Sequence, residues 1–97
     1  MTLLTSDEID RALAGDLSAW QRDAGTITRE VRVRTFLAGI TLVQRVAEVA
    51  EGLDHHPDID IRYTTLGFTL STHSEGGVTG KDLELARRID ELASQAT

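Results

Sequence analysis

The sequence predicts an α+β domain in which a four-stranded antiparallel sheet carries helices on one face. Two pairs of segments alternate apolar and polar residues, as hairpin strands do, and each pair is followed by a segment with helical spacing. Another short helical segment precedes the first pair. Hairpins followed by helices favour an antiparallel sheet with helices on one side. The order is therefore α-β-β-α-β-β-α, and all 97 residues, 1–97, fit a single domain.

The first helix and the first hairpin are predicted near the N-terminus. Thr5 and Glu8 have the spacing of a capping box, and the helix that they open is predicted to end at Gly15. Strands are predicted at residues 17–22 and 26–34, because both are rich in residues typical of strands and a turn-like sequence separates them.

The central helix is predicted to follow Thr35 and to end near Leu53, with apolar residues in two neighbouring rows. The first row is Phe36, Ile40, Val43, Ala47 and Ala50, and the second is Leu42, Val46, Val49 and Leu53. Together they cover roughly half of the helix surface, which is more than one contact with a sheet requires. We expect the second row to pack on the first helix or on another subunit, and we predict a homodimer or homotetramer.

The second hairpin and the last helix follow a proline. Residues 58–63 and 66–71 alternate as strands do and are joined by Thr64 and Thr65. The last helix is predicted to begin near Thr79. Its apolar stripe is Leu85, Ala86, Ile89, Leu92 and Ala93.

Composition excludes several classes of function. The chain has no cysteine, which excludes disulfides and thiolate zinc sites and fits the reducing cytoplasm, where we expect the protein. It has 16 acidic and 10 basic residues, and this net charge of −6 argues against direct binding to nucleic acid. The longest apolar stretch is interrupted by Arg45, Glu48 and Glu51, so no membrane span is predicted.

Three histidines are the candidate functional residues. His55 and His56 stand where the central helix passes into a strand, and His73 follows the partner strand of that hairpin. Because antiparallel partners return the chain to its starting point, all three rings could border one pocket. Histidine exchanges protons near neutral pH, which predicts general acid and base catalysis.

Other interpretations of these histidines remain open. A histidine at a strand end is often merely solvated, and three imidazoles can also hold zinc or iron. Neighbouring histidines rarely bind one ion, however, so we expect neither a metal nor another cofactor.

Nearby carboxylates are candidates for orienting the rings. Glu51 precedes His55 by four residues and would share its helix face. Asp82 stands three residues after Thr79, where it could complete a helix cap or, alternatively, orient His73.

Several separate blocks of the sequence resemble the pterin-4a-carbinolamine dehydratase signature. These blocks are Glu51-Gly52-Leu53-Asp54-His55-His56-Pro57-Asp58, then Tyr63, then Leu70-Ser71-Thr72-His73, and finally Gly77-Val78-Thr79-Gly80-Lys81-Asp82. They keep the order of the signature and lie within residues 51–82, a span of about a third of the chain.

The resemblance implies a hydro-lyase that dehydrates 4a-hydroxytetrahydropterin to quinonoid dihydropterin. It also implies an antiparallel sheet with helices on one face, assembled as a dimer or tetramer. His55, His56 and His73 match the family's active-site histidines. Glu51 and Asp82 match its supporting acids, and Pro57 and Thr72 lie in the same blocks as substrate-binding or supporting residues. The alternative is a pterin-binding or protein-interaction module without turnover, as a molybdopterin-related protein, an assembly factor or a transcriptional cofactor.

Overall fold

The predicted fold class is confirmed in a computed structural model, which describes residues 2–96. Three helices and a four-stranded antiparallel sheet follow one another in the predicted order. The elements are α1 (Ser6–Ala14), β1 (Gln21–Asp23), β2 (Thr26–Arg32), α2 (Phe36–Leu53), β3 (Asp58–Arg62), β4 (Thr65–Leu70) and α3 (Gly80–Ala96). A single 3₁₀ turn, His73–Glu75, lies between β4 and α3.

The sheet has the strand order β1-β2-β4-β3, so the two hairpins join through β2 and β4. Ile27 pairs with Leu70, and Val31 pairs with Leu66. These four side chains and Phe68 are buried on the face that the helices cover. Alternation in β4, predicted from the sequence, thus divides the sheet into an apolar covered face and a polar open face.

The first strand begins later than predicted. Residues 17–20 form a turn rather than strand, and only Gln21–Asp23 pair with β2. Leu17 and Trp20 are nevertheless buried in the core. The Trp20 indole N–H donates to Asp90 on α3 at 2.8 Å, which satisfies the one polar group of the ring. The segment resembled a strand because it contains the apolar residues Leu17 and Trp20. A turn, not a strand, brings both of them into the core.

The second hairpin turns one residue earlier than predicted, at Tyr63 and Thr64. Tyr63 adopts a positive φ of 53°. Arg62 pairs with Thr65, and at the other end Asp58 pairs with Thr69. This register returns the chain after β4 to the point where β3 began.

The predicted roles of the two apolar rows on α2 are wrong. The core contains Leu42 and Val46 of the second row, whereas Phe36 and Ile40 of the first row are exposed. Leu37, which belongs to neither row, is 75% exposed. The second row therefore faces the sheet and α3 within one chain. Ala50, the last residue of the first row, is buried as well, so the apolar surface left for another subunit consists of Phe36, Leu37 and Ile40.

Gly39 accounts for this orientation of α2. A Cβ atom built at Gly39 would lie 3.2 Å from Val33 Cγ2 and 3.5 Å from a Leu66 methyl carbon. The absence of a side chain lets α2 approach the sheet on the side of Leu42 and Val46.

Among residues 2–96, no helix is long and apolar enough to span a membrane.

Two matched leucines on α2 test this orientation. Leu42→Ala should reduce the free energy of unfolding by about 2–5 kcal/mol, since it leaves a cavity in the core. Leu37→Ala should change it by no more than about 0.5 kcal/mol, because the side chain is exposed. Urea unfolding at low protein concentration measures both, and equal losses would contradict the assignment.

Candidate active site

The end of α2 directs His55 into the protein. Asp54 adopts the left-handed conformation (φ 51°, ψ 45°) and its N–H donates to Glu51 O. The His55 N–H donates back to Ala50 O at 3.0 Å. These two bonds form a Schellman motif, which reverses the chain at the helix end. His55 therefore leaves the face of the helix that it would have shared with Glu51.

His55 binds a buried carboxylate at the start of α3. His55 Nε2 lies 2.6 Å from Asp82 Oδ1, and the Asp82 side chain has no exposed surface. Asp82 Oδ2 accepts from the Thr72 hydroxyl at 2.8 Å and from the Thr79 N–H at 2.9 Å. Since three hydrogen-bond partners surround it, the carboxylate is well satisfied despite complete burial.

His56 has a different environment. Its Nε2 bonds to Glu51 Oε2 on the last turns of α2. The pair is open to solvent, with 58% of the His56 side chain and 75% of the Glu51 side chain exposed. Pro57 follows and prevents further helix, which separates this turn from β3. The two adjacent imidazoles therefore differ in burial and in carboxylate partner.

His73 is carried by the loop between β4 and α3. The Thr72 N–H donates to Gly77 O at 2.8 Å, which closes the base of the loop. Gly76 takes a positive φ of 74° where the chain turns back. The His73 side chain is exposed at the start of the 3₁₀ turn.

The three imidazoles border one cleft of about 370 Å³. Its remaining walls are Asp54, Ser71, Thr72, Ser74 and Lys81. Glu51 and Asp82 stand behind the histidines that they bind, outside the lining. The cleft thus brings several proton-exchanging groups and hydroxyls together at one place on the surface.

The carboxylate partners differ from those predicted. Glu51 binds His56 rather than His55, because the chain reversal at Asp54 moves His55 off the helix face. Asp82 binds His55 rather than His73. It also accepts the Thr79 N–H, so the capping and the imidazole-orienting roles, posed as alternatives, coexist in one side chain.

Four cleft residues were not identified as site residues from the sequence: Asp54, Ser71, Ser74 and Lys81. The first two and Lys81 lie inside the quoted motif blocks and adjoin His55, Thr72 and Asp82, so their position could have identified them. Nothing in the sequence singles out Ser74. Within residues 2–96, no three His, Asp or Glu side chains are arranged to hold a metal ion.

Comparison with known proteins gives a consistent set of relatives. The family model described as pterin 4 alpha carbinolamine dehydratase matches residues 2–92. A protein of Mycobacterium sp. (strain KMS) is 55% identical over 92 residues, or 95% of this chain and 97% of the relative. One from Mycobacteroides abscessus is 58% identical over 90 residues, covering 93% and 95%. Both are named as candidate pterin-4-alpha-carbinolamine dehydratases.

Solved structures agree with the fold. A transcriptional coactivator/pterin dehydratase from Brucella melitensis has a TM-score of 0.89 and 36% identity, covering 95% of this chain and 99% of its own. A pterin dehydratase-like protein, described as a RuBisCO assembly factor in the alpha-carboxysome, has a TM-score of 0.64 at 19% identity, covering 76% and 86%. The second likeness supports the fold alone.

The two adjacent histidines should differ in their effect on stability. His55→Ala leaves the buried Asp82 without one of its three hydrogen-bond partners, and we expect a loss of about 1–3 kcal/mol. His56→Ala removes an exposed pair and should cost no more than about 0.5 kcal/mol. Chemical unfolding of both variants measures this, and a larger loss for His56→Ala would contradict the burial described.

Proposed function

This chain belongs to the pterin-4-alpha-carbinolamine dehydratase family, and we propose that it dehydrates 4a-hydroxytetrahydropterin to quinonoid dihydropterin by histidine acid–base catalysis. The observation that carries the proposal is the cleft bordered by His55, His56 and His73. Two of these rings are bonded to carboxylates, which fix the orientation of the rings.

The reaction needs the chemistry that these groups supply. Breaking the bond between C4a and the hydroxyl oxygen requires a proton on that oxygen, and water then leaves. A second proton must leave the pterin ring as the new double bond forms. One imidazolium and one neutral imidazole can perform these two transfers, and each positioned group contributes about 10²–10⁴ in rate.

The cleft also suits the size of the ligand. At about 370 Å³ it lies within the usual range for small-molecule sites, roughly 300–1,000 Å³. A larger concavity of about 520 Å³ lies between α2 and α3, but its lining contains no imidazole. Both volumes suit a small ligand, so the chemistry of the lining is what favours the histidine cleft. Thr72 and Pro57 support it by holding the segments that carry the rings.

Turnover by histidine variants tests the proposal. His55→Ala and His56→Ala should each lower kcat by about 10²–10⁴-fold on enzymically generated 4a-hydroxytetrahydropterin, since each removes a proton-transfer group. His73→Ala should also lower turnover. Thr41→Ala, an exposed position on α2 outside the cleft and outside the signature blocks, is the control and should keep the activity of the parent protein.

Addition of a chelator separates this mechanism from a metal-dependent one. We expect unchanged turnover in its presence. Loss of activity that one metal restores would overturn the proposed mechanism, and so would full activity in all three histidine variants. Tight binding of a pterin without acceleration over buffer would favour the pterin-binding alternative.

We also propose that the protein forms a homodimer or homotetramer through α2. Phe36, Leu37 and Ile40 leave an apolar surface on this helix uncovered within one chain. A chain of 97 residues buries only about two thirds of its unfolded surface, so association adds useful burial. A protein-interaction module would bind its partner through the same surface, so this surface also supports the alternative function as an interaction module.

Charge placed on this surface should dissociate the assembly. Leu37→Glu should shift the mass in solution toward the monomer, because a buried unpaired charge is costly. Ser18→Glu, exposed and polar in the turn that follows α1, is the control and should leave the mass unchanged. Light scattering over a concentration series measures both. A parent protein that is monomeric throughout would refute self-association and leave the apolar surface to a different partner.

A further inference from the structure

We infer that a chain of hydrogen bonds from the start of α3 holds the His55 proton on Nε2, so that Nδ1 is the base offered to the substrate. Thr72 and Thr79 are then positioning residues of the reaction. The catalytic part of this inference rests on the proposed function. The placement of the proton depends only on the geometry around Asp82.

The argument begins with the two oxygens of Asp82. An ionised carboxylate only accepts hydrogen bonds. Oδ2 receives the Thr72 hydroxyl and the Thr79 N–H. The carboxylate also lies in the first turn of α3, where the helix dipole favours negative charge. The group facing Oδ1 must therefore donate, and that group is His55 Nε2 at 2.6 Å.

The hydroxyl groups point in a single direction. Thr72 has one hydroxyl proton and gives it to Asp82. The 2.7 Å contact between the Thr72 and Thr79 hydroxyl oxygens then requires Thr79 to donate to Thr72. Thr79 Oγ1 in turn accepts from the Lys81 N–H at 3.3 Å. Every proton in the chain is directed toward Asp82, and none of the buried side-chain polar atoms among residues 2–96 lacks a partner.

The consequence for His55 concerns its other nitrogen. Nδ1 makes no hydrogen bond to any residue in the range 2–96, and the ring lines the cleft. Nδ1 is thus the atom that can take the proton leaving the pterin ring. The imidazolium that forms is stabilised by Asp82, as the aspartate of a Ser-His-Asp triad stabilises its histidine. His55 is the base, and the proton for the departing hydroxyl comes from another group.

The two threonines should not be equivalent. Thr72→Val removes a donor from Asp82 and also leaves the fully buried Thr79 hydroxyl without an acceptor. Thr79→Val leaves the bond from Thr72 to Asp82 in place. Loss of the Thr72 hydroxyl should therefore disturb His55 more than loss of the Thr79 hydroxyl. The double variant Thr72→Val/Thr79→Val contains no unpaired Thr79 hydroxyl. It should therefore be no less stable than Thr72→Val alone.

The ¹⁵N shifts of the His55 ring nitrogens, measured in the neutral imidazole, test the inference without reference to turnover. The parent protein should show the proton on Nε2 alone. Thr72→Val should show a mixture of the two tautomers, and Thr72→Ser should restore the parent signal because it returns the hydroxyl. In Asp82→Asn the amide can donate to Nε2, so the proton should move to Nδ1. Thr41→Val, an exposed hydroxyl on α2, is the matched control.

Turnover is measured on the same variants. Thr72→Val should lower kcat by roughly 10–100-fold, the range for residues that orient functional histidines in metal sites, with recovery in Thr72→Ser. A parent protein with the proton on Nδ1 would overturn the inference, as would a Thr72→Val variant with unchanged tautomer and unchanged kcat. If Thr72→Val does not fold, the Thr72→Val/Thr79→Val double variant gives the same readout. The expected tautomers without dehydration in the parent would instead refute the proposed function.

Discussion

The structure around the cleft depends on one buried carboxylate. An ionised group without any exposed surface is tolerated only when hydrogen bonds replace its water, and Asp82 obtains them from three different segments. His55 follows the end of α2, Thr72 follows β4, and Thr79 precedes α3. Because these donors are distant in sequence, satisfying Asp82 requires the segments to meet in one arrangement. The requirement that stabilises this corner of the fold also positions an imidazole.

The second imidazole–carboxylate pair shows what the first gains from burial. His56 and Glu51 make the same kind of bond, yet both side chains are largely exposed, and exposed pairs contribute little to stability. An exposed imidazole exchanges protons readily with water. A buried one keeps a fixed orientation and a defined tautomer. The proposed acid and base roles would call for groups that differ in this way. His55 and His56 differ in burial and in carboxylate partner although they are adjacent in the sequence.

The sequence predicted the element order, the sheet and the meeting of three histidines, because alternation, helical spacing and the motif blocks are local or topological signals. The sequence-based prediction failed where one spacing of residues is compatible with two different arrangements in space. Both apolar rows of α2 suit a core, and the choice between them depends on the close approach at Gly39. Glu51 was expected to contact His55 because the prediction assumed that α2 continues past Leu53. The left-handed Asp54 reverses the chain there, and an aspartate in that conformation is hard to recognise from sequence.

The two surfaces of functional interest lie toward opposite ends of α2. His55 and His56 follow its last residue, whereas Phe36, Leu37 and Ile40 occupy its first turns. At a rise of 1.5 Å per residue, Ile40 lies about 20 Å along the axis from Leu53. Association through the exposed apolar residues would therefore leave the cleft accessible. Self-association and catalysis can coexist in this small domain without competing for the same surface.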